Sequence, residues 1–303
     1  MENGDRIMFS GILWERGMPE ARIRVNSGPS MLVPVSDLVM GFSTSNAARR
    51  CIGHKPFRDR ASAWVDCDRA PLSEGHKCDR CAANDATFAS QLHHAHTRGS
   101  GELDASIQAH LAQENHLYLA AFRDGTIKVG TSTSHRLQTR LSEQGAWRAS
   151  VVATASNGIT VRELEAEVTA ELGIVQSVSV RRKIAGLARP VTNEVLSKEL
   201  SRWTKPIHCL IDDLGSEGVT PTDTEWRSPI TSDPVWTSVT QYGLKLTSGN
   251  HALDFLSASG RVGAFRRPGL EDTFIADLRE LYGLEVELSP VEPDELHVQD
   301  ALF

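Results

Sequence analysis

Four of the five cysteines lie in one short stretch of the chain and have the spacing of a metal site. They follow the pattern C-x15-C-x10-C-x2-C at Cys51, Cys67, Cys78 and Cys81. A C-x-x-C pair directs two thiolates at one ion, and two further cysteines complete a tetrahedral zinc site with no open position for catalysis. The surrounding segment is rich in Gly, Pro, Asp and Arg and has little with which to build an apolar core. The sequence therefore predicts a structural Zn(II) site, which would supply the stability of this segment.

Two histidines are alternatives to Cys67 as a ligand. His54 follows Cys51 with the spacing C-x2-H, and His76 lies two residues before Cys78. Imidazole is a common zinc ligand, so both alternatives stay open beside the more ordinary interpretation of a surface histidine.

Other potential ligands are assigned to structural positions. His93, His94 and His96 fall on a predicted helix from Ala86 to His96, where consecutive residues point to different faces. These histidines are therefore interpreted as a solvated surface. Cys209 lies in an apolar run and is predicted to be a buried thiol.

A second group of polar side chains lies on a predicted β-hairpin. The runs LYLAAF and TIKVGTS are strand-like and are joined by Asp-Gly at 124–125, a favoured hairpin turn. His116 and Tyr118 belong to the first strand, and Lys128 belongs to the second. A helix, the strand SVVATA and a second helix over Val161–Leu172 are predicted next. The order of elements is then β-β-α-β-α.

The second of these helices has a complete start signal. Thr160 is predicted as its N-cap and Glu163 as the capping-box partner, flanked by a staple of Ile159 and Leu164. Because capping would occupy Glu163, Glu165 is the preferred candidate for a functional carboxylate on this helix.

These residues resemble the GIY-YIG nuclease superfamily over about residues 114–175. The tripeptides HLY at 116–118 and KVG at 128–130 stand where that superfamily has its two signature motifs. RLQTRLSEQGAW resembles its arginine-bearing helix, and VRELEAEV resembles its glutamate-bearing helix. Over most of the chain, a closer resemblance is to an uncharacterised GIY-YIG-like family of unknown function, through RRCIGH, Cys-x-x-Cys, KVGTS and RL-x-x-RL-x-EQGA.

The resemblance implies a metal-dependent phosphodiester hydrolase that acts on nucleic acid. Tyr118 takes the place of the tyrosine that orients or deprotonates the attacking water. Arg140 takes that of the arginine that steadies the scissile phosphate, and Glu165 that of the single ligand to Mg(II) or Mn(II). Such a reaction needs a cation on the developing charge, a hard metal ion with an oxygen ligand and a positioned water. Arg136, one turn before Arg140, is a further candidate on the same helix face.

Three positions depart from the superfamily's pattern. Lys128 replaces the second signature tyrosine, His116 replaces the first glycine, and Gln144 stands where a histidine or tyrosine is expected. Lys128 could contact phosphate, or act as a base if burial lowered its pKa, and His116 offers another base. Two further functions therefore stay open. The chain could be a catalytically inactive nucleic-acid-binding module, or a GIY-YIG scaffold reassigned to a small-molecule or carrier-bound substrate.

The length of 303 residues predicts several domains, of the α+β class. The C-terminal part is predicted to contain a helix over Val191–Trp203, a helix over Asp272–Tyr282 and the strand LEVEL. The predicted domains are an N-terminal β unit (1–48), a zinc knuckle (49–83), a helical connector (84–113), the GIY-YIG-like domain (114–204) and an acidic mixed α/β domain (205–303).

The net charge of −7 is unevenly spread. Residues 205–303 contain 7 Lys/Arg and 17 Asp/Glu, so the preceding part of the chain has a net charge of +3. Basic clusters at 49–60 and 181–183 permit phosphate contact, although a solvated charged surface is the simpler alternative. The sequence has neither an apolar run of about 18 residues nor an export signal, which predicts a cytoplasmic protein without a membrane partner. No pattern indicates an oligomeric state.

Overall fold

The computed structural model describes residues 1–15, 17–56, 64–68, 71–85 and 105–296. This part of the chain is a mixture of helices and three β-sheets, which confirms the predicted α+β class. The strands are β1 (Arg6–Glu15), β2 (Met18–Val25), β3 (Met31–Pro34), β4 (Val39–Ser43), β5 (Ala48–Arg49), β6 (Asn115–Ala121), β7 (Ile127–Thr133), β8 (Arg148–Ala155), β9 (Val219–Arg227), β10 (Thr240–Gln241), β11 (Asn250–Ser259), β12 (Val262–Arg266), β13 (Phe274–Asp277) and β14 (Leu284–Glu287). The helices named here are α1 (Ala105–Leu111), α2 (Leu137–Glu143), α3 (Gly158–Leu172), α4 (Val180–Ala188) and α5 (Asn193–Leu214).

The contacts divide the described chain into two units. The first is formed by the described residues of 1–84 and 233–296, and the second by those of 85–232. The predicted domain boundary at residue 205 falls inside α5, and the chain after residue 232 joins the N-terminal β unit. The predicted helix over 86–96, with its three histidines, lies outside the described residues.

Two five-stranded sheets share one apolar core in the first unit. Their strand orders are β3-β2-β1-β14-β5 and β10-β13-β12-β11-β4. Alternate side chains of β1, those of Ile7 and Phe9, are buried in this core together with residues from both sheets, such as Phe255 and Phe265. Met8 lies between the two core residues of β1, so it belongs to the opposite face of the sheet.

The C-terminal segment of this unit differs in part from the prediction. Residues predicted as a helix over 272–282 form β13 and a short 3-10 turn at Leu278–Leu281. β13 pairs with β12, and its residue Ile275 is fully buried, so pairing within the sheet outweighed local helix propensity. The predicted strand LEVEL is confirmed, because β14 pairs with β1.

The second unit confirms the predicted β-β-α-β-α order as β6-β7-α2-β8-α3. Its antiparallel sheet has the order β7-β6-β8-β9. The helix predicted over Val191–Trp203 is longer in the structure, because α5 continues through Pro206. The buried positions Leu200, Ile207 and Ile211 keep a helical spacing across this proline, so packing of one face offsets the lost N–H donor. None of the helices that the structure describes combines the length and apolar character needed to cross a bilayer.

The start of α3 lies three residues earlier than predicted. Asn157 is its N-cap, and its side-chain oxygen accepts hydrogen bonds from the backbone N–H groups of Ile159 and Thr160, both at 2.9 Å. The predicted capping box of Thr160 and Glu163 is therefore wrong. Asparagine and threonine are both favourable N-caps, and local pattern alone chose the wrong one. Capping therefore gives no reason to prefer Glu165 over Glu163 as the functional carboxylate.

Candidate functional site

The four predicted zinc ligands converge in the first unit. The Sγ atoms of Cys51, Cys67, Cys78 and Cys81 all lie within 4.8 Å of one another. Two of them, from Cys67 and Cys78, are 3.8 Å apart, which is about the edge of a tetrahedron whose Zn–S bonds are about 2.3 Å long. The cluster could therefore hold a metal ion such as zinc.

The backbone around the cluster is arranged for thiolates. The N–H groups of Gly53 and Cys78 point at Cys51 Sγ, at 3.5 and 3.2 Å. A hydrogen bond from the backbone of Cys81 lowers the pKa of Cys78 to about 7, whereas burial raises the pKa of Cys81. Gly53 is required here, because its φ is +82° and a Cβ would lie 2.2 Å from the Val65 carbonyl oxygen. A divalent cation would relieve the repulsion between neighbouring thiolates.

The two histidine alternatives make other contacts. His54 Nε2 lies 3.1 Å from Asn84 Nδ2, and His76 Nδ1 lies 2.9 Å from the Tyr282 carbonyl oxygen. Among the described residues, the convergent ligand set contains the four cysteines and neither histidine.

The prediction that Cys209 is a buried thiol is wrong. Cys209 is exposed on α5, because the helix buries Ile207 and Ile211 and residue 209 falls on the opposite face.

Tyr118 lies at the centre of the second unit's polar cluster. It is fully buried on β6 opposite Gly130 of β7, and its ring lies over this glycine. Its hydroxyl accepts a hydrogen bond from Gln144 Nε2 at 2.7 Å. Burial raises the pKa of Tyr118, while the charge of Arg140 and the hydrogen bond from Gln144 partly oppose that rise. The phenol is therefore protonated at neutral pH.

Lys128 is buried beside this tyrosine. It lies two residues before Gly130 on the same face of β7 and is only 9% exposed. Its pKa is lowered to about 8, mainly by burial and also by the positive charges of Arg140 and Lys183, whereas Glu165 opposes the change.

Arg140 and Glu165 are two further predicted site residues that act on Tyr118 and Lys128 electrostatically. Arg140 is exposed on α2, and Glu165 is half-buried on α3. The charges of both groups act on the pKa values of Tyr118 and Lys128. A phenol, an ammonium, a guanidinium and a carboxylate from four different elements therefore share one electrostatic environment.

Two further cations belong to this cluster and were not predicted as site residues. Arg162 lies one turn before Glu165 on α3; burial lowers its pKa, and Glu165 opposes that shift. Lys183 Nζ donates a hydrogen bond to the Gln144 carbonyl oxygen at 2.8 Å. The helical spacing of Arg162 from Glu165 was the available signal for the first, and the basic run at 181–183 for the second. With four cations and one carboxylate, the cluster is suited to an anion.

Two predicted site residues make different contacts. His116 Nδ1 lies 3.2 Å from Thr154 Oγ1, and the pKa of His116 is lowered by burial, with Glu114 as the opposing carboxylate. Arg136 is exposed at the N-cap of α2 and forms an ion pair with Glu143 at 3.0 Å. Its side chain therefore runs along the helix surface.

Replacing Gly130 by alanine is expected to destabilise the second unit by about 1–3 kcal/mol. An added Cβ would lie 2.6 Å from the Tyr118 hydroxyl oxygen and 2.7 Å from its Cζ, and the fully buried ring has little room to move. Denaturant unfolding of Gly130→Ala in the wild-type and Tyr118→Ala backgrounds measures the coupling. An equal loss of unfolding free energy in the two backgrounds would contradict a close contact between position 130 and the Tyr118 ring.

Replacing Lys128 by methionine is expected to stabilise the protein at pH 7 by up to roughly 3 kcal/mol, at about 1.4 kcal/mol per unit of pKa shift. The lysine pKa is lowered from 10.5 to about 8, so between these values the unfolded chain binds more protons. The destabilising effect of the buried ammonium is thus complete below pH 8 and disappears towards pH 10.5. The stability difference between the variant and wild type, measured by urea unfolding at pH 7 and pH 10, should shrink as the pH rises. A stability difference that is the same at both pH values would contradict the lowered pKa of Lys128.

No curated protein and no solved structure matches this chain. One family model does match, that of "Protein of unknown function (DUF2797)", over residues 46–245. The match covers about two thirds of the chain, including all four clustered cysteines and the residues from Tyr118 to Lys183. The chain therefore belongs to this family of unknown function, DUF2797.

Proposed function

We propose that this protein is a metal-dependent phosphodiester hydrolase of the GIY-YIG type that acts on nucleic acid. The supporting observation is the convergence of Tyr118, Arg140 and Glu165, together with Lys128, in one electrostatic environment. These residues come from two strands and two helices in the order that the superfamily's core has. The GIY-YIG assignment rests on this arrangement and on the sequence resemblance.

The cations of the cluster would bind and polarise the phosphate. Arg140 is exposed enough to meet a substrate, and its planar guanidinium can contact two phosphate oxygens at once. Lys128 adds a second positive charge from the sheet below pH 8, where its amine is protonated. Negative charge that develops on the phosphate during hydrolysis would be stabilised by these fixed cations.

Tyr118 and Lys128 would have different roles in proton transfer. The phenol oxygen already accepts from Gln144, and the pKa of Tyr118 is raised, so the phenol is better suited to donating its proton to a water or phosphate oxygen than to acting as a base. Lys128, with a pKa of about 8, is the stronger candidate for removing a proton from the attacking water. The rate of hydrolysis is then expected to rise as the pH passes through about 8.

Glu165 would hold the catalytic Mg(II) or Mn(II), since it is the carboxylate among the cluster's charged groups. A divalent ion bound there supplies charge neutralisation on the phosphate. Magnesium is commonly held by one or two carboxylates with water and substrate oxygens, which fits a single glutamate. Because Glu165 shares its cluster with several cations, we expect weak metal affinity until substrate phosphate adds negative charge.

The cysteine cluster would hold Zn(II) in a structural role. Four thiolates fill a tetrahedral coordination sphere and leave no position for a substrate. The site in the second unit would then be the one that performs chemistry.

A nucleic-acid-binding module without catalysis is the second candidate. The observation that favours it is Gln144, which stands at the position of an expected titratable residue and bonds the Tyr118 hydroxyl. An amide cannot take up a proton at neutral pH. The cations would then serve for binding alone.

Cleavage assays on labelled single- and double-stranded DNA and RNA test the proposal. Wild type and Glu165→Gln are compared with added Mg(II) or Mn(II) and without it; metal is omitted rather than chelated, since a chelator would attack the cysteine cluster. The matched control is Glu167→Gln, which changes an exposed glutamate on the same helix. Metal-dependent cleavage by wild type and Glu167→Gln, lost in Glu165→Gln, is the expected result.

The other outcomes separate the candidates. Salt-sensitive binding by wild type without cleavage would support the binding module. Equal cleavage by wild type and Glu165→Gln would contradict the hydrolase proposal, and the absence of both binding and cleavage would contradict both candidates.

A further inference from the structure

A polar pocket lies in the first unit beside the cysteine cluster. Its volume is about 220 Å³, and Cys67 is one of its lining residues. Neighbouring strands build its floor: Met8 of β1 is opposite Arg24 of β2 on one side and Glu285 of β14 on the other. Arg6 lies two residues before Met8 and thus on the same face of β1. This is the face turned away from the apolar core.

Three arginines line the pocket, and they differ in how their charge is used. Arg24 is fully engaged: its guanidinium donates to the carbonyl oxygens of Gly28 and Cys67 and to Asp68 Oδ1, at 2.8, 3.3 and 2.8 Å. It therefore acts as a fixed wall that joins β2 to the cysteine segment.

The other two arginines have unused hydrogen-bonding capacity. Arg50 Nε forms an ion pair with Glu285 Oε2 at 2.7 Å, and within the described residues the two terminal nitrogens of Arg50 make no hydrogen bond. Within the part of the chain that the structure describes, the Arg6 guanidinium has no ion-pair partner. The lining carboxylates Asp68 and Glu285 are paired with Arg24 and Arg50, so Arg6 is the lining arginine that neither carboxylate pairs with.

We propose that this pocket binds a phosphate group, held between Arg6 and Arg50. Guanidinium groups from two separate segments, Arg6 on β1 and Arg50 just after β5, can each contact a different pair of oxygens on a tetrahedral phosphate, whereas a planar carboxylate offers one pair. The volume leaves room for a substituent on the phosphate. The phosphate could belong to a free nucleotide or to the end or backbone of a nucleic acid. This site is independent of the proposed hydrolase site, whose residues lie in the second unit.

Methionine methyl NMR of the full-length, zinc-loaded protein tests the pocket directly. The chain has five methionines, of which Met8 lines the pocket while Met18 and Met31 are exposed. Protein labelled with ¹³C at the methionine methyl groups is titrated with inorganic phosphate, adenosine 5′-monophosphate and a short 5′-phosphorylated oligonucleotide, at constant ionic strength set with chloride. The Met8 signal, assigned with Met8→Leu, should shift to saturation, whereas the Met18 and Met31 signals should stay.

Two variants that remove the same charge, one inside and one outside the pocket, show whether Arg6 contributes to phosphate binding. Arg6→Gln is expected to weaken phosphate binding about tenfold, as loss of one charge-assisted contact does. Arg266→Gln, at an exposed arginine of the same unit outside the pocket, should bind as wild type does. Tightest binding of the oligonucleotide would identify nucleic acid as the source of the phosphate, and tightest binding of the mononucleotide would identify a small ligand. A Met8 signal unmoved by all three probes, or equal weakening in the two variants, would overturn the proposal.

Discussion

Removing the metal from the cysteine cluster is expected to unfold the segment that carries it and to lower the melting temperature of the protein by about 10 °C or more. The apolar contacts of this cluster are made by Cys51, Cys78 and Cys81 themselves, with Cys67 and Leu72 packed against them. Structural zinc contributes on the order of 10–16 kcal/mol in zinc-finger peptides, and little else in this segment would replace it. Cys81→Ser should have the same effect as chelation.

Cys209→Ser is the matched control, because Cys209 is exposed and lies outside the cluster. Metal analysis after chelator-free purification should find about one equivalent of zinc in wild type and in this control, and hydrogen exchange over residues 51–85 should rise only when zinc is lost. Less than about half an equivalent in wild type would contradict the zinc site.

Arg140→Ala is expected to reduce metal-dependent cleavage by about 10²–10³-fold, the usual cost of removing one charged or polar group that stabilises a transition state. The charge of Arg140 lowers the pKa values of both Tyr118 and Lys128, so its guanidinium lies within the cluster where a phosphate would be bound. Most of the loss should be in kcat, because the developing charge is larger in the transition state than in the bound substrate.

Arg136→Ala is the control for this prediction, since Arg136 lies one turn earlier and is paired with Glu143 on the helix surface. It should change cleavage by less than about threefold, as expected for an exposed ion pair worth at most a fraction of 1 kcal/mol. A comparable loss in the two variants would show that the general charge of α2, rather than Arg140, supports cleavage. Arg140→Lys should keep only part of the wild-type cleavage rate, because lysine lacks the planar pair of donors of arginine.

The cysteine cluster and the cluster around Tyr118 are held in place by different interactions. The cysteine cluster is expected to depend on a metal ion for local stability, whereas the cluster around Tyr118 is built on a fully buried side chain of a four-stranded sheet. Loss of zinc and loss of Arg140 are therefore expected to have separable consequences, the first in stability and the second in activity.

The sequence alone determined the features that depend on neighbouring residues. The C-x-x-C pair and the Asp-Gly turn are local patterns, and the structure has both the sulfur cluster and the hairpin. Even a local pattern can have two solutions, however, as the N-cap Asn157 shows, because asparagine and threonine can both accept hydrogen bonds from the first backbone donors of a helix.

Only the tertiary structure decided which distant residues meet. Pairing of β13 with β12 overrode a predicted helix, and the packing of α5 placed Cys209 in solvent. The contribution of Lys183 to the Tyr118 cluster, and the meeting of Arg6 with Arg50 in the pocket, arise from helix packing and strand pairing between segments far apart in the chain. Hydrophobic periodicity indicates which face of an element is buried, but which partner covers that face depends on the whole fold.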